Sequence, residues 1–424
     1  MEGKSWLPGK GREPEEPKPL SDPIEYDPFS PGVLADPWPA YAELRRSAPV
    51  HYFADFTPPF YTLSRSDDVR EALAKPEDFS IRYGQSPQYT RASGLMNDPP
   101  EHTQFRALFN RAFTPRSVKE LEGPIARIAG DLLDRMLPQR RGDLHHDFAS
   151  PFPTMIIARL MGIAPDHHRA FRRMSDDLTA TYNDPDPAAS RAPRQAFDAY
   201  FQNVIDERRE LCRGAGLDSP DERVLGSVLP DDLVSRLAVA RVAGRALSDK
   251  ELSWTLLLLL LGGNETSTAM ITNLVWRLLE VPERWAELRR HPSLVDAAVE
   301  ESLRFDPPVL GLFRTPTRDL TLHGVTIPAK SKVMVLFGAP NRDPEIFDAP
   351  DEFRLDRDPD ETRRRVMTFG FGHHYCPGAS LARMEARIAL RMLLERAPDL
   401  RLAGEPERIA PFNLWGRSTL PVAW

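Results

Sequence analysis

The stretch Phe369-Gly370-Phe371-Gly372-His373-His374-Tyr375-Cys376-Pro377-Gly378 decides how the rest of this chain is read. A lone cysteine is by default a small buried hydrophobe. Here its neighbours argue otherwise. Gly370, Gly372 and Gly378 let the backbone turn tightly and approach another group closely. An amphipathic pattern, Gly378 to Ala397, follows at once and predicts a long final helix. Cys376 therefore stands just before a helix N-terminus, where the positive end of the dipole and free N–H groups favour a thiolate. A thiolate with several N–H donors aimed at it is what an anionic metal ligand requires.

Upstream, Ser248 and Glu251 form a Ser-x-x-Glu box that opens a second long helix. Its pattern runs to about Glu280, so the helix spans about 30 residues, or about 45 Å. Its middle is Leu256 to Leu261, followed by Gly262-Gly263-Asn264-Glu265-Thr266. The apolar run falls short of the roughly 20 residues a membrane span needs. Its lack of a polar face predicts burial in the centre of a large fold. A glutamate beside a threonine in such a helix is costly unless something uses it. The paired glycines let a flat cofactor or a substrate lie against the backbone, and a threonine hydroxyl bonded back to a helix carbonyl can open the helix to water.

The whole chain, 424 residues with a net charge of −7, is an ordinary globular composition on the acidic side. An acidic balance argues against nucleic acid as the main partner. Two cysteines, Cys212 and Cys376, do not make a disulfide framework, and no apolar signal sequence opens the chain; a reducing cytoplasm is expected, with no membrane span. Of the 42 prolines, several crowd the first 31 residues, so residues 1–25 are expected to form a disordered, proline-rich tail before a single domain over 26–424.

Helices are predicted at Pro37–Arg46, Asp67–Leu73, Pro100–Phe113, Val118–Met136, Pro153–Met161, Phe197–Arg209, Pro282–Arg290 and Leu294–Phe305. Alternation predicts short strands at Phe60–Leu63, Asp319–Ile327 and Lys332–Phe337, and a closing strand at Thr419–Trp424. Tyr182–Arg194 and Leu211–Pro230, the latter carrying Cys212, read as loops. The expected class is mainly α with small β-sheets.

The Cys376 segment resembles the haem-binding loop of the cytochrome P450 family, Phe-Gly-x-Gly-x-His/Arg-x-Cys-x-Gly, and every fixed position matches. The likeness extends from about Asp27 to the C-terminus. It implies the P450 fold, with haem b between the long central helix and the Cys loop with its C-terminal helix, and Cys376 as the thiolate ligand of the iron. Pro377 is a tolerated variant that removes one N–H near sulfur.

The resemblance assigns further residues. Gly262-Gly263-Asn264-Glu265-Thr266 is similar to the family's oxygen-activation motif, which implies a proton relay at Glu265 and hydrogen bonding at the reacting oxygen by Thr266. Glu301-x-x-Arg304 looks like the family's Glu-x-x-Arg pair, joined in a core ion network by Arg357, with Arg354 where the family more often has Asp. His102, Arg106, Arg314 and His374 match positions that hold the haem propionates.

The implied activity is a monooxygenase hydroxylating an apolar small molecule, such as a terpenoid, steroid, fatty acyl or aromatic compound, with O2. The alternatives are a peroxide-driven peroxygenase and a non-catalytic haem sensor. No flavin or iron–sulfur signature is present, so a ferredoxin or flavodoxin with an NAD(P)H-dependent reductase is implied. Arg363, Arg364 and Arg365, with Arg383 and Arg387, are expected to form its basic dock. Substrate contacts are expected from Ile81–Met96, Leu178–Tyr182, Leu258, Leu261, Gly262, Val309–Phe313 and Phe412–Leu414.

Overall fold

A computed structural model describes residues 25–424 apart from 91–93, 113 and 183–187. The expected tail, 1–25, lies almost wholly outside the described residues, as do parts of the segments 81–96 and 182–194.

Ten helices position the site: α1 Ser66–Ala74, α2 Glu101–Ala112, α3 Glu122–Met136, α4 Pro151–Leu160, α5 His168–Tyr182, α6 Arg191–Gly214, α7 Asp249–Glu280, α8 Val295–Phe305, α9 Pro359–Arg365 and α10 Ala379–Arg396. The main sheet is made of β1 Val50–Phe53, β2 Phe60–Leu63, β3 Phe79–Ser80, β4 Gly311–Pro316 and β5 Lys332–Leu336. Its order is β1-β2-β5-β4-β3, with β5 parallel to β2 and the other pairings antiparallel. The chain is thus mainly α with small sheets, as the sequence implied.

The central helix α7 runs for 32 residues. The expected capping box is present: the Glu251 amide donates to Ser248 Oγ at 3.3 Å, and the Ser248 amide donates to Glu251 Oε2 at 2.9 Å. Two of the four orphan N–H groups of the helix start are so satisfied.

This one helix serves two apolar cores. Its first half places Leu252, Leu256, Leu257 and Leu260 among residues of α5 and α6. Its second half places Met270, Ile271, Leu274 and Leu278 among residues of α3, α8 and α10. Each leucine fully buried in this way contributes about 1.5–3 kcal/mol relative to exposure. Between the two cores lies Gly262–Ser267, the only stretch of α7 that carries the paired glycines and the acid.

Local signals placed several helix ends closely. Pro282–Arg290 is helical over the predicted residues, opened by its proline. Gly162, just past α4, takes φ +72°, the left-handed conformation that ends a helix. Other readings need correction. The predicted Phe197–Arg209 helix runs from Arg191 to Gly214, so Cys212 is a buried helix residue against Val224, Leu229 and Val239 and not part of a loop. The predicted Val118–Met136 helix breaks at Leu121 into Pro115–Glu120 and α3. Helix α5 was not read from the sequence at all. Its apolar residues Phe171, Met174 and Leu178 do keep helical spacing, but arginines and aspartates outnumber them along the segment.

Among the described residues, no helix is long and apolar enough to cross a membrane.

Candidate active site

The Cys loop is hung from α8 by a chain of buried polar groups. The Thr368 hydroxyl donates to the Leu303 carbonyl at 2.6 Å, and Asn341 Nδ2 donates to Thr368 Oγ1 at 2.8 Å. The Met367 amide donates to Asn341 Oδ1 at 2.8 Å. The loop then closes on itself, with the Cys376 amide donating to the Phe369 carbonyl at 2.9 Å. Gly372 has φ +70°, and a Cβ there would lie 2.8 Å from the Leu73 carbonyl oxygen of α1. Only glycine satisfies both demands.

Cys376 is half-buried at the entry to α10. Desolvation pushes its thiol up, while backbone hydrogen bonds from Gly378 and Ala379 and the charges of Arg106 and Arg383 pull it down. Burial wins on balance and the thiol stands raised; the groups arrayed around the sulfur offset part of the cost of its anion, and an iron would remove the rest.

Beneath the loop, Glu301 and Arg304 form a fork with both side chains fully buried. Arg304 also donates to the carbonyls of Asn341, Pro350 and Glu352 at 3.0, 2.7 and 2.8 Å. Arg357 Nε reaches Glu301 at 3.3 Å, the partner the resemblance implied. Arg354 keeps the arrangement by its backbone: its amide donates to Glu301 Oε1 at 2.8 Å, while its guanidinium turns outward to Asp356.

His102, Arg106, Arg314 and His374 come from α2, β4 and the Cys loop, and they converge. The His102 and His374 rings lie 4.2 Å apart, centroid to centroid. Arg106 Nη1 donates to the Tyr375 carbonyl at 2.5 Å. Arg314 is buried, with a hydrogen bond to the Phe313 carbonyl at 2.9 Å and no carboxylate in ion-pair range among the described residues. Burial holds Arg314 down at about 10. Burial and the neighbouring cations hold His102 down at about 4 and His374 at about 2, so both rings are neutral.

Two buried ring nitrogens of this cluster, His102 Nδ1 and His374 Nε2, have no hydrogen-bond partner among the described residues. Buried polar atoms without partners are rare in folded proteins. Two orphan imidazole nitrogens beside two arginines, one of them buried, suit a ligand carrying carboxylates. The residues present therefore fit a haem with its propionates.

On α7, Glu265 is pushed up to about 7 by burial and makes no hydrogen bond or ion pair among the described residues. The Thr266 hydroxyl donates back to the Gly262 carbonyl at 2.6 Å. A Cβ on Gly262 would meet nothing within 4 Å, whereas one on Gly263 would lie 2.6 Å from Ile157 Cδ1. The two glycines thus have different tasks: Gly262 leaves open space, and Gly263 admits α4.

Three residues of this region escaped the sequence reading. Lys332, fully buried on β5 next to β4, donates to the Tyr83 and Gly84 carbonyls at 2.8 and 3.3 Å, and burial holds it down at about 7. Asp98 accepts from Ser80 Oγ at 2.6 Å and the Ile81 amide at 3.0 Å, beside the cluster. Glu385, buried on α10, is pushed up to about 8, with Ser267 of α7 as its hydrogen-bond partner. No local pattern marks them, since each matters through what is folded against it.

The expected basic dock needs correction. Arg383 is buried, at 2.7 Å from Glu300. Arg363 pairs with Glu300 and Asp360, Arg365 with Glu361, and Arg387 with Asp296. Only Arg364 of the five has no carboxylate partner among the described residues.

A mainly helical fold with a half-buried cysteine at a helix entry, an internal acid–alcohol pair and a carboxylate-seeking histidine–arginine cluster defines a haem-thiolate type of protein. The family model described as Cytochrome P450 matches residues 40–397, and the chain belongs to the cytochrome P450 family of monooxygenases. It is 34% identical over 406 residues to the cytochrome P450 monooxygenase PikC of Streptomyces venezuelae, which covers 92% of this chain and 91% of that protein. The structure of CYP109E1 from Bacillus megaterium in complex with testosterone is 31% identical with a TM-score of 0.79, covering 92% of this chain and 99% of that one. P450BioI in complex with hexadec-9Z-enoic acid ligated acyl carrier protein is 29% identical with a TM-score of 0.79, over 93% and 100% of the two chains.

Proposed function

We propose that this P450 hydroxylates an apolar small molecule of steroid or fatty-acyl type, using haem b ligated by Cys376 and electrons delivered from outside. The observation that carries the catalytic part is Glu265, a half-buried carboxyl pushed up to about 7 beside Thr266, on the open face of the central helix. When bound, the haem supplies oxygen activation and C–H oxidation. His102, Arg106, Arg314 and His374 would hold its carboxylates, the arginines by charge and the neutral imidazoles by hydrogen bonds. Glu265 accepts protons from solvent and passes them inward, and near pH 7 both of its forms are populated. Thr266 holds a hydroxyl at the reacting face. The apolar residues around them exclude water.

The substrate class rests on the partly buried apolar side chains Leu258, Leu261, Leu312 and Phe412, and on the steroid and fatty-acyl complexes named for the two structural neighbours. Apolar lining selects lipophilicity before it selects a compound. We assign the electron supply to a ferredoxin or flavodoxin with its reductase, meeting the protein near Arg364, and read residues 26–424 as one catalytic unit working in the cytoplasm.

The reduced, haem-loaded protein with CO should show the absorption band of a thiolate-ligated iron, and testosterone or palmitoleic acid should shift the ferric spin state. A thiolate band with no spin shift from any steroid or fatty acid would remove the substrate class. Loss of the thiolate band would remove Cys376 as ligand.

A further inference from the structure

The motif Gly262–Thr266 contains one residue that the haem chemistry does not use. Asn264 points away from the open face of α7 and is buried at 4% exposure. Its Nδ2 donates to Ser175 Oγ of α5 at 2.7 Å, and its Oδ1 accepts from Thr154 Oγ1 of α4 at 2.9 Å. Ser175 and Thr154 are themselves buried, and the single Thr154 hydroxyl hydrogen is shared between Asn264 Oδ1 at 2.9 Å and the Ser150 carbonyl at 3.0 Å. Three helices thus meet on one amide. An amide suits the place, because it offers a donor to one hydroxyl and an acceptor to the other.

We propose that Asn264 is a positioning residue that locks the Glu265–Thr266 segment of α7 in register with helix α5. The inference rests on the reading of Glu265 and Thr266 as the proton-handling pair and adds to it what holds that pair in place.

The geometry around the amide supports the assignment. Glu265 makes no contact of its own that would orient it among the described residues, so its placement depends on the backbone of its turn. That turn is weakened on the inner side, where Thr266 bonds back to Gly262, and two glycines lower its helix propensity further. On the outer side Gly263 lies against Ile157 of α4 and Asn264 binds both neighbouring helices. Helix α5 also carries Met174 and Leu178 into the apolar cluster that includes Leu258 and Leu261. The position of α5 therefore answers to what fills that apolar side, and Asn264 carries the position to the next residue, the acid. A buried amide bonded through both its nitrogen and its oxygen specifies one arrangement where apolar packing would allow several.

The test compares the full-length, haem-loaded wild type with Ser175→Ala, Asn264→Leu, their double variant and Ser175→Thr. Thr268→Val serves as a control, since Thr268 ties the following turn to the Ala149 carbonyl at 3.1 Å. Two quantities are read: amide hydrogen exchange over residues 262–268, and the titration of the Glu265 carboxyl by infrared difference, identified by its loss in Glu265→Gln. We expect exchange to rise about tenfold in Ser175→Ala and in Asn264→Leu, with the double variant no worse than either. The carboxyl midpoint should fall in the same three proteins as water reaches the loosened turn, and Ser175→Thr should behave as wild type. Thr268→Val should raise exchange and leave the midpoint in place. An unmoved midpoint in Ser175→Ala and Asn264→Leu, or additive effects in the double variant, would overturn the lock while leaving the acid's role standing. Absence of any near-neutral titration lost in Glu265→Gln would instead overturn the reading of the acid, and the lock with it.

Discussion

Arg304 grips Glu301 with two parallel hydrogen bonds of 2.7 Å, and neither side chain is exposed. Charges so placed are stable only because each polar edge is used: Glu301 also takes the Arg354 amide, and Arg304 also feeds three carbonyls. Removing one partner strands the other. Glu301→Leu or Arg304→Leu should each lower stability by about 3–5 kcal/mol and abolish haem loading. Arg304→Lys should also fail, because an ammonium cannot make the fork. The yield of folded, haem-loaded protein measures all three, and a normal yield from Arg304→Lys would show that the fork is not required.

Cys376→Ser should keep the fold, since a hydroxyl fits the half-buried space of the thiol. It should lose the thiolate-type CO spectrum and the monooxygenase activity, because an alcohol does not ionise near neutrality. An unchanged CO spectrum would mean that another group ligates the iron.

Glu265 titrates at about 7 in the fold against 4.5 for an ordinary glutamate. The sign follows from which state holds the proton. Between these values the folded protein keeps the proton and the unfolded chain has lost it, so this residue's contribution is full at and below about pH 4.5 and is lost as the pH rises to about 7. Glu265→Gln should remove that downward slope from stability measured against pH. It should also slow turnover by about 10²–10⁴-fold and remove the limb of the activity profile near neutrality. Equal slopes in the two proteins would show that Glu265 is not held protonated.

Gly372→Ala tests the seating of the Cys loop. The new methyl would meet the Leu73 carbonyl oxygen, which as backbone has little room to retreat, at a φ of +70° that alanine resists. A loss of about 1–3 kcal/mol is expected, with weaker haem retention, whereas Gly123→Ala, where a Cβ meets nothing within 4 Å, should cost nothing. Thermal melts of the two haem-loaded variants decide it, and equal melting temperatures would refute the seating argument.

The features legible in the sequence were those complete within a few neighbouring residues. The glycine-framed turn before Cys376, the capping box at Ser248 and Glu251, and the proline that opens the helix after α7 depend on backbone conformation and on groups one turn away. Adjacent residues suffice to state such features, so the Cys loop and the Glu265–Thr266 pair could be named before any fold was known. Helix α5 and the true length of α6 are not legible because their stability comes from apolar faces that have value only against each other, α4 and α7.

Only the tertiary structure decided what each charge faces. It brought His102 onto His374 across 272 residues of chain (374 − 102) and set Arg314 beside Lys332. It also drew Arg383 out of a surface dock into an ion pair with Glu300 and gave Asn264 its two hydroxyl partners. The physical reason is that burial and electrostatic environment are properties of the space around a side chain. Residues distant in sequence fill that space, and no local pattern records which of them arrive.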